Sequence, residues 1–218
     1  GSPAGFYLAA AGVGHLCIVD DDTVDISNLQ RQILHKNDNV GELKINSAKS
    51  TLNALNPSIS IELHNDKITS SNIRKYLSNI DLVIDGTDNF KARYAISDAC
   101  AEAGIPWAYG AVYRFEGQVS LFHASRPELR GLCYRCLFPE VDAGLDAPNC
   151  TEAGVLGVAP GIIGVLQATE ALKFLLGIGQ PLIGRLLHVD LLGMHFHETK
   201  LTPDPECAAC GSYNAVVD

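Results

Sequence analysis

Along this chain short apolar runs that stop on carboxylates alternate with stretches whose apolar residues recur three and four apart, a pattern that predicts strands alternating with helices. Leu16 to Val19 is the first such run, closed by Asp20. Ahead of it, Pro3 suits the first turn of a helix reaching Ala11, with Gly12 and Gly14 to end it. After it, a short helix is expected near Ser27–Leu34 and a longer one over Glu42–Leu55, stopped at Asn56-Pro57. Ile59, Ile61 and Leu63 alternate with polar residues, so Ser58–His64 reads as a strand with one wetter face. Ser70 or Ser71 is placed to cap a short helix ending at Ser78. Asp81–Asp85 reads as a buried strand, and Gly86–Asn89 turns from its carboxyl end into a helix closed by Gly104. Ile105–Tyr109 is the next strand, and Tyr113–Phe122 a hairpin bent at Glu116-Gly117.

The second half changes character. Arg126–Asn149 is rich in proline, glycine and acid and reads as a long loop. Two helical stretches follow from Thr151 to Leu176, then Arg185–Leu191 and Met194–Leu201 as an antiparallel pair around Gly193. With no internal repeat or linker, residues 1–218 are expected to form one domain of the α/β class. The expected architecture is a Rossmann-like, mostly parallel sheet with an antiparallel C-terminal extension. Ligands of such sheets bind beyond the carboxyl ends of the strands, where Asp20 and Asp88 both sit.

Composition narrows the function classes. A chain of 218 residues, 47% hydrophobic and 19% charged, is globular in type. Its net charge of -9, with no Lys/Arg cluster, argues against a nucleic-acid partner. The most apolar window, Gly154–Gly179, is interrupted by Pro160, Gln167, Glu170 and Lys173, so a buried helix is expected there and no membrane span. Gly1 to Gly14 has no basic segment ahead of an apolar one, so no signal peptide is read and a cytoplasmic location is expected.

The candidate chemistry begins at Asp20. A carboxylate closing a short strand can accept from ribose hydroxyls, and Arg31 can fork onto phosphate oxygens, with Asn28 beside it. A buried strand followed by an exposed polar helix gives the same pattern, and an NAD-dependent dehydrogenase shares the strand-end acid. Lys44, in G-E-L-K, stands near a helix start, from which its amine can reach phosphates; an ordinary solvated lysine is the alternative. Asp88, in D-G-T-D-N, can hold Mg²⁺ through waters or cap the helix that follows. Cys133-x-x-Cys136 and Cys207-x-x-Cys210 supply four soft ligands, the set for a closed, structural Zn²⁺ site, with a redox pair as the rival. Cys150 lies where the loop meets a helix, whose dipole would favour its thiolate. Cys17 and Cys100 read as inert thiols on apolar faces, and none of the seven histidines reads as catalytic. His195 and His197 alternate with Met194 and Phe196, as on the wetter face of a strand.

The run Asp20, Asp22, Val24, Asn28, Leu29, Arg31, Gln32 fits D-x-D-x-V-x-x-x-N-L-x-R-Q without departure. In this the chain resembles the MoeB/ThiF-type adenylyltransferases of ubiquitin-like sulfur-carrier proteins, relatives of ubiquitin-activating enzymes, and the likeness runs to the second cysteine pair. The resemblance implies ATP-dependent adenylation of the C-terminal glycine carboxylate of a small carrier ending in Gly-Gly. It implies Gly1 as the last glycine of a phosphate-binding loop, Asp20 on the ribose, and Asn28, Arg31 and Lys44 on the phosphates. Asp22 and Gln32 would line the same nucleotide site, and Asp88 would bind Mg²⁺. Zinc is implied on Cys133, Cys136, Cys207 and Cys210, and Cys150 as a thiol that, in some relatives, links to the carrier. A sulfur donor of desulfurase or rhodanese type and a homodimer are further implied partners; the excess apolarity of Gly154–Gly179 offers Ile162, Val165 and Leu166 as its contacts, the alternative being that they face the chain's own core. A non-catalytic half of an activating heterodimer and a dehydrogenase remain the alternatives. Molybdopterin, thiamine and tRNA-thiolation carriers are not separated by these residues.

Overall fold

The computed structural model describes residues 1–126, 131–139 and 154–211. Helix α1 (Ser2–Ala10) carries a proline in its first turn, and the chain leaves it through Gly12 at φ +83°. Strand β1 (His15–Val19) is joined through α2 (Lys44–Leu55) to β2 (Ser60–His64), which pairs with β1 in parallel. The second crossover runs from β3 (Val83–Ile84) through α3 (Phe90–Ala103) to β4 (Trp107–Tyr113), again in parallel. Gly104, in the left-handed conformation at φ +68°, closes α3 as expected. From β4 onward the pairing is antiparallel, through β5 (Glu116–Phe122), β6 (Arg185–Asp190) and β7 (His195–Lys200). Between β5 and β6 lie the short α4 (Tyr134–Leu137) and the long α5 (Val158–Leu176).

The mixed α/β, Rossmann-like expectation holds, but the sheet is not mostly parallel. Strands β1 and β2 form one pair, and β3 to β7 form a five-stranded sheet in chain order with a single parallel pairing. Parallel neighbours need a crossover, whereas β4 and β5 are separated only by Arg114 and Phe115, which must reverse the chain. Arg114 takes φ +53° in that turn. The hairpin therefore bends before Glu116-Gly117. A Cβ on Gly117 would come 2.3 Å from Cδ1 of Ile163, so this glycine admits α5 to the sheet and makes no turn.

Two other short elements differ from expectation. Ile26–Asn28 is one 3₁₀ turn capped by Asp25, and turns replace the helix to Leu34. Leu34 is instead tied outward: its N–H donates to Ser2 Oγ and its carbonyl accepts from Thr51 Oγ1. Ile73–Tyr76 is likewise 3₁₀ and starts after Asn72, because the Ser71 hydroxyl is engaged with Thr69. The expected stretch 151–153, most of the long loop and Cys150 lie outside the described residues.

Helix α5 organises the core. It has the length and apolarity of a membrane-crossing helix, yet Ala159, Ile163, Gly164, Gln167, Ala168, Glu170 and Ala171 are buried against α1, β4 and β5. Gly164 lets Pro3 and Ala4 approach to contact, which packs α1 onto α5. Opposite it, Trp107, Tyr109, Phe122 and Tyr134 form an aromatic cluster with α3 and α4. Each of these side chains, fully removed from water, stabilises the fold by about 2–3 kcal/mol.

Candidate active site

Three chain reversals converge on one cavity of about 520 Å³: the start of α1, the turns after β1, and the loop after β3. It is lined by Gly1, Asp22, Asn28, Arg31, Gln32, Lys44 and Asp88, residues 87 positions apart at the extremes, together with Arg93 from the first turn of α3 and Gln167 from the middle of α5. The N-terminus of α1 opens into it through Gly1 and Ser2. Unpaired N–H groups and the helix dipole make such an end favourable to phosphate. Glycines matter here because two backbones nearly touch: a Cβ on Gly86 would lie 3.2 Å from Cα of Gly1.

Lys44 is the first residue of α2 and is buried, with its Nζ donating to Asp22 Oδ2 at 2.7 Å. Asp22 is exposed, so the pair holds the amine at the cavity wall without sealing it in. The Lys44 N–H donates to the Asp22 carbonyl, which fixes the start of α2 to the turn after β1. Arg31 Nη1 donates to the Ser27 carbonyl at 3.1 Å, and Asn28 Nδ2 to Ser27 Oγ at 3.3 Å. Gln32 Oε1 is buried with no hydrogen-bond partner among the described residues, an acceptor that a ligand's donor would satisfy.

Asp20 does not line the cavity. It sits half-buried two residues before Asp22, whose N–H donates to its Oδ1 at 2.9 Å. Burial pushes its carboxyl above the ordinary range, against the pull of that N–H and of Lys44. Asp88 is exposed, and its carboxylate makes no hydrogen bond or ion pair with the described residues. The cap of α3 is Asn89, whose side chain accepts from the Ala92 N–H at 2.9 Å, so Asp88 is left to face the cavity.

Beneath Asp88 lies a support built on Asp85, read from the sequence as a structural acid, and on Arg93 and Gln167, whose parts in it the sequence reading missed. Asp85 is buried, accepts from the Thr87 N–H and hydroxyl at 2.8 and 2.7 Å, and stands 3.4 Å from Arg93 Nε. Burial raises the Asp85 carboxyl above its usual range, and Arg93 and Thr87 oppose that rise. Arg93 Nη2 also donates to the Thr87 carbonyl at 3.1 Å, closing the loop that presents Asp88. Gln167 Nε2 donates to the carbonyls of Asp85 and Ala108 at 2.8 and 2.9 Å, bolting β3 to β4. A Cβ on Gly110 would come 2.4 Å from Gln167 Cδ, so the glycine makes room for the bolt. Gln167 had one signal in the sequence, a lone amide in an apolar helix; Arg93 had none.

The four cysteines of the two pairs do meet, some 70 residues apart in sequence. Cys133 and Cys207 Sγ lie 3.5 Å apart, Cys136 and Cys210 Sγ 3.4 Å apart, and all four sulfurs are within 4.8 Å of one another. None forms a disulfide. A tetrahedron with metal–sulfur bonds of about 2.3 Å has edges of about 3.8 Å, so the set fits a tetrahedral thiolate centre. The Asp204 N–H points at Cys136 Sγ at 3.5 Å. Cys100 is a core thiol, its pKa pushed by burial to about 12. Cys17 is not: it lies half-buried on the face of β1 opposite Leu16 and Ile18. Strand β7 is exposed along its length, so Phe196 is as wet as His195 and His197, and His197 stacks on His188 at 4.5 Å.

Comparison with known proteins accords with this geometry. The ThiF family model matches residues 1–209. The SAMP-activating enzyme E1 of Haloferax volcanii is 46% identical over 211 residues, covering 97% of this chain and 76% of that protein. The sulfur carrier protein adenylyltransferase of Thermus thermophilus is 46% identical over 214 residues, covering 97% of this chain and 78% of its own. Among solved structures, E. coli MccB with MccA-N7isoASN superposes with a TM-score of 0.80 at 20% identity, over 96% of this chain and 64% of MccB, a likeness of fold. A family model that spans the cavity and reaches into the second cysteine pair, ending one residue short of Cys210, with relatives of 46% identity across nearly the whole length, decides the matter: the chain belongs to the ThiF family.

Proposed function

We propose that this chain uses ATP to adenylate the C-terminal carboxylate of a ubiquitin-like sulfur-carrier protein. The observation that carries the reading is the cavity that gathers Asn28, Arg31, Gln32, Lys44 and Asp88 at the N-terminus of α1. The printed names of the Haloferax and Thermus relatives agree with it. The carrier's terminal carboxylate, ionised at neutral pH, attacks the α-phosphorus of ATP; the bond to the β-phosphate oxygen breaks, giving the acyl-adenylate and pyrophosphate. No general base is required. Geometry and charge neutralisation supply the rate. Arg31, Lys44 and Asn28 bind the phosphates, and the start of α1 with Gly1 adds backbone donors. Lys44 exchanges its Asp22 partner for a phosphate oxygen. Asp20, one turn from the cavity, binds the ribose. Asp88 would hold Mg²⁺, which neutralises charge on the phosphates.

The four-cysteine set would hold a structural Zn²⁺ that ties the segment of Cys207 and Cys210 to α4. Cys150 is the candidate thiol for attack on the acyl-adenylate, with AMP leaving. A sulfur donor of desulfurase or rhodanese type would act after it. The chain works as a homodimer in the cytoplasm; Ile162 and Val165 are partly exposed on α5, whereas Leu166 packs into the chain's own core. The test is carrier-dependent exchange of labelled pyrophosphate into ATP, run with a panel of Gly-Gly carriers. Exchange with one carrier identifies the partner. Absence of exchange with every carrier, in a protein that binds ATP, would overturn the reading.

A further inference from the structure

Away from the cavity, the parallel pair β1–β2 presents two different faces. Leu16, Ile18, Ile61 and Leu63 face the helices and share a core with Ala9, Ala48 and Leu52. The strand period of two then puts His15, Cys17, Glu62 and His64 together on the other face. The register sets Cys17 directly across from Glu62, and His15 and His64 at either side. His64 Nε2 is 2.8 Å from Glu62 Oε1, and His15 Nε2 is 3.5 Å from Glu62 Oε2. Ligand atoms of Cys17, Glu62 and His64 all lie within 4.8 Å of one another.

We propose that this H-x-C/E-x-H face is a second metal site, taking a divalent ion of the zinc class on Cys17, Glu62 and His64 with His15 as the fourth ligand. A surface ion pair accounts for Glu62 and His64, but it gives no reason for a thiol at the same point. One thiolate, one carboxylate and two imidazoles are a mixed set suited to tetrahedral Zn²⁺, with bonds of about 2.0–2.3 Å. A Cys17 thiolate would repel the carboxylate across from it, and a cation bound between them turns that repulsion into attraction. The separations among Cys17, Glu62 and His64, all within 4.8 Å, need side-chain adjustment of about 1 Å to reach the tetrahedral edge, and His15, 3.5 Å from Glu62 but outside that group, has to swing further. Burial is partial: side-chain exposures of 43% for His15, 54% for Glu62 and 32% for His64 leave a path for the ion and room to adjust. The His64 ring rests against Tyr76 with centroids 4.8 Å apart, which holds one ligand in place before the metal arrives. Bound metal would pin β1 to β2 at the edge of the nucleotide-binding half.

The site is tested by counting zinc in the whole purified chain after equilibration with micromolar zinc and removal of the excess. The wild type is expected to hold one more zinc per chain than Cys17→Ser, and His64→Gln is expected to lose the same equivalent. Cys207→Ser should keep it. After chelation, added zinc should raise the Tm of the wild type more than that of Cys17→Ser. Equal zinc content in wild type, Cys17→Ser and His64→Gln would overturn the proposal, whatever the total. His64→Gln alters only a half-exposed side chain, so the comparison survives a folding defect in Cys17→Ser.

Discussion

Single side chains decide the charge balance of the cavity. Arg31→Ala and Lys44→Ala should each lower carrier-dependent pyrophosphate exchange by about two orders of magnitude or more, the scale for losing a charge-stabilising donor. Asp88→Asn should act on the Mg²⁺ concentration needed for half-maximal exchange, because Asp88 serves no cap and, among the described residues, no ion pair. Near-wild-type exchange in any of the three would remove that residue from its role. Arg93 differs in kind, since it lies under the loop and holds Asp85. Removing it strands a buried carboxylate, so Arg93→Ala should cost about 3 kcal/mol or more in urea unfolding. For Cys150 a paired assay separates the steps. Cys150→Ser should retain exchange, which precedes thiol attack, and lose sulfur delivery; normal sulfur delivery would exclude the thiol from the mechanism.

At the scale of elements, the site is held by ties between segments that are far apart in sequence. Gln167 joins α5 to both β3 and β4 through two buried carbonyls. Gln167→Leu leaves the Asp85 carbonyl unpaired, while that of Ala108 keeps the Asp85 N–H, and unfolding should show a loss of about 1–3 kcal/mol. Its exchange activity should fall as well, since the same bond places the loop of Asp88; a stable variant with full activity would argue against this coupling. The cysteine tetrad makes the second tie, between α4 and the segment before Gly211. Cys207→Ser should remove its zinc and lower the Tm while largely sparing nucleotide affinity. Metal analysis that finds no zinc on these cysteines in unchelated wild type would refute the structural role.

For the whole molecule, the long apolar helix is the feature that the single chain leaves incompletely used. One side of α5 is buried against α1, β4 and β5, while Val158 and Leu176 are 61% and 64% exposed at its ends, and Ile162 and Val165 are half-covered. A homodimer through this side should appear in light scattering at micromolar concentration, and Ile162→Asp should shift it toward monomer with little change in the monomer's own core. A monomeric wild type would overturn the dimer and leave those apolar residues as ordinary surface.

Strong local periodicity carried most of the elements. Helices α1, α2 and α3, strands β1 and β2, and the β6–β7 pair stand close to where apolar spacing and end residues such as Pro3, Asn56 and Gly104 put them. A long mixed motif made Asp22, Asn28, Arg31 and Gln32 of the cavity legible, though Asp20 falls outside its lining, and the cysteine spacing made the separate cysteine cluster legible. What the sequence left open depends on partners distant along the chain. Hydrogen bonds from Leu34 to Ser2 and from Thr51 to Leu34 draw the turns after β1 away from a helix, and a two-residue reversal after β4 turns the sheet antiparallel from there on. Asn89 takes the cap that Asp88 was equally able to fill. Gly117, read locally, signals a turn; in the fold it clears space for Ile163, as Gly110 does for Gln167. Cys17 passes for a core thiol until β2 sets Glu62 across from it and His64 beside it. Apolar periodicity records which face of an element is buried, and only the tertiary structure determines which distant polar groups that burial brings together.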